Sequence, residues 1–247
     1  MNKILVLSSI LVSAFLVVHN VCAQEPAIDY KQLIAKCSEA IKQVRSYDVL
    51  MEIKGSFTIN SQESKSNSLK LEAHFVSPDR FKIAQVMDEG SGENLWDGWI
   101  VIGNDYYVLN PAFGWAKGGD DNRRATCKNN SPEGIIKQLE IIEKEYKRDS
   151  ISSATKDGIE YFVIKYLFGK ESVDMGSLPP ELKDSKVNGT YEIWIDKNNY
   201  LPSKQSEDVS YYLNEQNKGA SSTDLRYSSF NGNKIKIDKP VLGGKVF

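Results

Sequence analysis

From Val49 onward the chain returns repeatedly to an alternation of apolar with polar or small residues, and this period of two limits its fold more than any other feature. Val49, Met51, Ile53, Phe57 and Ile59 share one phase, and Leu69, Leu71, Ala73 and Phe75 share the next. The polar stretch INSQESKSNS is expected to join them as a hairpin loop. Pro78 ends the second strand, and Phe81 and Ile83 open a third that runs to Met87. Asp97-Gly98 and Gly103-Asn104 predict turns between the runs NLW, WIVI and YYVLN, while Asp157-Gly158 separates RDSISSAT from IEYFVIKYLF. Residues 169–186, with Pro179 and Pro180, read as a long loop or partial lid. Further strands are expected over 190–196, 201–212, 224–230 and 234–237.

About ten consecutive antiparallel strands do not lie flat, so the sheet must curl, and its apolar face needs a cover. Two segments with helical periodicity can supply that cover. Over residues 28–45, Tyr30, Leu33, Ile34, Cys37, Ile41 and Val44 recur at intervals of three and four. In SPEGIIKQLEIIEKEY, Ser131 is a capping residue, Pro132 takes the first helical position, and Ile135, Ile136, Leu139, Ile142 and Tyr146 form the apolar stripe. The expected class is α+β: a strongly curved antiparallel sheet, an unclosed half-barrel, with helices covering its concave face and an apolar hollow between the layers.

Residues 1–23 read as a cleavable secretory signal peptide: Lys3 at the start, an apolar run from Ile4 to Val18, and small residues before Gln24. Residues 24–247 then form a single domain. Val21, rather than a smaller residue, precedes Cys22, so the product is expected to be soluble and periplasmic rather than lipid-anchored. Loss of Lys3 leaves a formal charge of about −3 with no basic cluster, which argues against a nucleic-acid partner. Cys37 and Cys127 remain after cleavage; an exported protein permits them to pair, and two buried free thiols fit the sequence equally well.

Catalytic chemistry finds little material. His19 falls in the leader, which leaves His74 alone, on the polar phase of its strand. Cys37, Cys127 and His74 lack the close spacing of zinc ligands, and the acidic loops DEGSGEN and GGDDN lack calcium-loop spacing. There is no nucleophile elbow, phosphate loop or CxxC pair. The expectation is a non-enzyme that needs no metal or cofactor.

Four segments carry a resemblance to a known family. Pro78 to Phe81 lies at a proline-containing strand junction, Gly103 to Pro111 forms a hairpin ending in YYVLNP, Ile195 to Pro202 gives an I-D-x-x-x-x-L-P strand pair, and the chain closes on RYSSFNGNKIKIDKP. In these the chain resembles the LolA/LolB periplasmic lipoprotein carriers and the related LppX/LprG lipid-binding proteins. That resemblance implies a half-barrel holding the acyl chains of a lipid or lipidated protein, for transport towards the outer membrane, with an envelope delivery partner. It departs at Ser77, where LolA carriers have a lid-closing arginine.

The alternation of the first three strands makes Met51, Ile53, Phe57, Leu69, Leu71, Phe75, Phe81 and Ile83 the candidate lining of the hollow. A monomer is expected, and a carrier of this kind needs no catalytic group: burial of acyl methylenes gives the affinity. The alternative is a LolA-like envelope sensor or protein-interaction module whose interior holds no cargo.

Overall fold

The computed structural model describes residues 29–88, 93–110, 112–119, 125, 128–172, 180–233 and 235–243. Helix α1 (Tyr30–Lys42) leads into β1 (Ser46–Ile59), β2 (Gln62–Val76), β3 (Arg80–Asp88), β4 (Glu93–Ile102), β5 (Asp105–Asn110) and β6 (Gly114–Lys117). Helix α2 (Pro132–Glu145) precedes β7 (Lys147–Lys156), β8 (Ile159–Phe168), β9 (Lys186–Asp196), β10 (Pro202–Asn214) and β11 (Asn217–Ser228).

The strands form one antiparallel sheet in the order β6-β5-β4-β3-β2-β1-β11-β10-β9-β8-β7. Two meanders, β1 to β6 and β7 to β11, are thus stitched together where the first strand pairs with the last, from Asp48 opposite Ser228 to Thr58 opposite Lys218. β6 and β7 remain as edges, so the sheet is an unclosed half-barrel.

Both helices begin as their sequences require. The Asp29 side chain accepts from the backbone N–H of Lys31 at 3.0 Å, and Ser131 accepts from that of Gly134 at 3.2 Å. Their apolar stripes, Tyr30, Leu33, Cys37 and Ile41 on α1 and Ile135, Leu139 and Ile142 on α2, are buried. They pack against one face of the sheet, on Tyr47, Val49, Ala73, Phe75, Phe81, Ile83, Ile164, Tyr166, Tyr191, Ile193 and Ile195. The opposite face carries a smaller apolar cluster, in which Ile237 packs against Ile100 and Tyr107.

Three expectations require correction. Asp97-Gly98 is not a turn: Gly98 lies inside β4, paired with Ala84 on one side and Leu109 on the other. A Cβ there would come within 3.1 Å of the Ile83 carbonyl oxygen, so close strand packing, not turning, requires this glycine. The first hairpin loop shrinks to Asn60 and Ser61, both at positive φ (50° and 66°), the conformation that joins twisted strands by two residues. The remaining polar residues of INSQESKSNS extend the strands instead. Residues 235–237 form no strand; Ile237 is held by burial and by Arg80, whose Nη1 donates to its carbonyl at 3.0 Å. Within 169–186, Lys170–Ser172 and Pro180–Leu182 are short 3-10 turns, and Leu182 is buried.

The apolar hollow as candidate functional site

The helices do not cover the inner face evenly. α2 ends with Tyr146 stacked on Phe168 of β8, ring centroids 4.5 Å apart, and edge-on to Tyr191 of β9 at 6.0 Å. α1 is fixed by its Tyr30 hydroxyl, 2.6 Å from that of Tyr166, with the Arg148 guanidinium 4.0 Å above the Tyr30 ring. Beneath α1, Cys37 is fully buried, and burial pushes its thiol up to about 12. Cys127 lies outside the described residues.

Strand register sorts the inner face into rows. Val49, Ala73 and Ile83 form one row that is buried. Met51 lies between Leu71 and Leu225 in the next, and Ile53 between Leu69 and Thr223 in the one after; all six are only half-buried. Here the cover of the inner face thins, and these side chains form a partly exposed, largely apolar trough. Glu207 continues the last row, opposite Thr223 on β11 and Tyr191 on β9.

On the other side of the buried row lies a cavity of about 330 Å³. Phe75, Phe81 and Val101 give it apolar walls, Pro78 borders it, and Asp79, Lys128 and Glu133 supply charged groups. It sits at the start of α2, where the Tyr47 hydroxyl donates to the carbonyl of Asn130 and the Tyr47 ring stacks on Phe75 at 5.3 Å. Its volume is at the lower end of the range for small-ligand sites, roughly 300–1,000 Å³.

The eight residues expected to line a hollow therefore divide. Phe75 and Phe81 line the cavity; Met51, Ile53, Leu69 and Leu71 stand in the trough. Ile83 is 6 % exposed and belongs to the packed core between the two. Phe57 is remote from the cavity, its ring over Gly219 and 6.2 Å from that of Tyr211. Sequence reasoning missed Val101, Leu225 and Glu207. The signal for Glu207 was present, because it shares the phase of Gln205, Val209 and Tyr211, all buried.

A larger depression of about 780 Å³ crosses β1, β2 and β8 to β11. Its lining is mostly small or polar, with Ser56, Asn188, Thr190, Ser210 and Ser222 beside Lys54 and Asp208. These residues take the strand phase opposite to Tyr191, Val209 and Phe57, so the depression opens away from the helices. An apolar ligand gains less there than on the inner face. His74 is also on the outer phase, its Nδ1 2.6 Å from Oδ1 of Asp48.

Electrostatically the trough has one marked feature. Burial raises the pKa of Glu207, the neighbouring Asp208 adds to the shift, and no cation pairs with Glu207 among the described residues. Among the described residues there is also no group of three or more His, Cys, Asp or Glu placed to hold a metal ion, and no helix long and apolar enough to cross a membrane.

Residues 29–245 match the model of DUF6612, a family of unknown function. No curated protein sequence matches the chain. Among solved structures the chain is similar to LprF from Mycobacterium bovis, at 13 % identity and a TM-score of 0.47 over 85 % of this chain and 96 % of that one. It is similar to the lipoprotein LppX of Mycobacterium tuberculosis at 15 % identity and a TM-score of 0.45, over 85 % of this chain and 100 % of that one. A LolA superfamily protein from Nitrosomonas europaea follows at 13 % identity and a TM-score of 0.28, over 82 % and 92 % of the two chains. At these scores the similarities assign the chain no ligand.

Proposed function

The chain belongs to DUF6612, a family of unknown function, and we propose that it is an exported, non-enzymatic binding protein that holds the acyl chains of a lipid or lipidated protein on the inner face of its half-barrel. The observation that carries this reading is the two rows of half-buried Met51, Leu71 and Leu225, and Ile53 and Leu69, apolar side chains left partly uncovered beside a well-packed core. Burial of each acyl methylene there contributes about 0.8 kcal/mol, enough for a long chain to bind without any catalytic group.

In this reading residues 1–23 direct export, residues 24–247 work as a soluble periplasmic domain, and the cargo moves towards the outer membrane through a delivery partner. The trough and the cavity at Phe75 and Phe81 are one buried row apart, so a chain that occupies both must displace the packing over Val49, Ala73 and Ile83. Native mass spectrometry of protein purified without detergent tests the proposal. Bound lipid, or uptake of added fatty acyl ligands at one per protein, is the expected result; a folded protein that takes up neither overturns it.

The packed row of Val49, Ala73 and Ile83 favours a second reading, a sensor or interaction module without cargo. In that case the trough receives an apolar protein segment, and the same measurement returns ligand-free protein.

A further inference from the structure

A carboxylate in an apolar trough is costly unless something compensates it, and Glu207 has no compensation among the described residues. Its place is fixed by register: on β10, facing the helices, between Thr223 on β11 and Tyr191 on β9, in the same row as Ile53 and Leu69. Among the described residues, the groups around it offer no positive charge. The Tyr191 hydroxyl donates to Oε1 of Gln205 at 2.9 Å, Tyr146 approaches from the end of α2, and Asp208, next in the chain, takes the outer phase. The cations nearest in sequence and register also stand on the outer phase: Lys204 is paired with Asp224 at 2.8 Å, and Arg226 lies beside Glu52.

We propose that Glu207 is the head-group residue of the trough, and that it selects amphiphiles whose polar end is cationic over those whose polar end is anionic. The proposal rests on the acyl-binding reading above and adds the class of ligand to it. An apolar chain lying on Ile53, Leu69, Met51 and Leu71 brings its polar end to the Glu207 carboxylate. A cationic head group then supplies the missing partner, with attraction strengthened by the partly desolvated site. An anionic head group meets a like charge that it cannot escape without giving up buried methylenes.

Calorimetric titration at pH 7.5 with three ligands of one chain length, each below its aggregation concentration, tests this: hexadecyltrimethylammonium, hexadecanol and hexadecanoate. The expected order is cation, alcohol, carboxylate, with at least tenfold between first and last. Glu207→Gln narrows that ratio below threefold, and Asp208→Asn on the outer phase leaves it unchanged. Thr223→Lys, which gives Glu207 a cation of its own, likewise narrows the ratio below threefold; this variant reports even if Glu207→Gln does not fold. Equal binding of all three by the parent protein, or a preference that survives Glu207→Gln, overturns the head-group assignment and leaves acyl binding standing. Failure of all three to bind overturns both.

Discussion

The hydroxyl oxygens of Tyr30 and Tyr166 lie 2.6 Å apart inside the core, and this contact ties the first turn of α1 to β8, near the far edge of the sheet. One hydroxyl donates to the other, with the Glu143 carboxylate a further partner of both, so removal of either costs the remaining one its direct tyrosine partner. Tyr30→Phe and Tyr166→Phe are each expected to cost about 1–2 kcal/mol in urea unfolding. The double variant should cost clearly less than the sum of the two, because each single variant already loses the contact they share. Strict additivity would show that the two groups do not depend on each other.

Two glycines let aromatic rings lie flat across neighbouring strands. The Phe168 ring covers Gly189 and the Phe57 ring covers Gly219, so a Cβ at either position collides with the ring. Gly189→Ala and Gly219→Ala are expected to destabilise by about 1–3 kcal/mol, the usual cost of overpacking. Phe168→Leu should recover part of the loss in the Gly189→Ala background but none in the Gly219→Ala background. Thermal melts of the four proteins separate this from a general dislike of alanine in the strands.

The alternation of Val49, Met51 and Ile53 fixed their shared face, because side-chain direction in a strand is a local property. The capping signals at Ser131 and Pro132 marked the start of α2 for the same reason. What lay out of reach depended on distant partners. Asp97-Gly98 resembles a turn, but pairing with Ala84 and Leu109 carries the strand through it. Ile237 has the composition of a strand residue, yet its position is set by Arg80 and by Ile100 and Tyr107. In the hollow, phase was legible and cover was not. The packing of both helices on the sheet, set by partners far apart in the chain, leaves Ile83 in the core while Met51 and Ile53 stay half-buried.

Glu207 should make stability depend on pH. Its folded-state pKa is raised above the unfolded value, so folding favours the protonated carboxyl. That contribution is complete below the unfolded pKa, near 4.3 by analogy with free glutamate, and disappears as pH rises through the folded value. Glu207→Gln keeps the neutral form at every pH. The variant is therefore expected to melt higher than the parent at pH 7.5 and within error of it at pH 4. A difference of equal size at both values would mean that ionisation of Glu207 is not its source.

Chain-length dependence gives the trough its sharpest test. If acyl methylenes are what the half-buried residues bury, each added methylene contributes about 0.8 kcal/mol, and affinity rises roughly fourfold per carbon until the ligand outgrows the face. From Leu69 across Ile53 and Thr223 to Glu207 is three strand spacings, roughly 14 Å, close to the acyl length of one bilayer leaflet, about 15 Å. The rise should therefore continue towards ordinary membrane-lipid chain lengths. Ile53→Asp places a charge in the trough at a position already half in water, so it should weaken long-chain binding at least tenfold while lowering the melting temperature little. Ser56→Asp, in the depression on the outer face, should leave binding as it was. If Ser56→Asp weakens binding and Ile53→Asp does not, the larger outer depression is the ligand site, and the helix-facing trough is only the margin of a core.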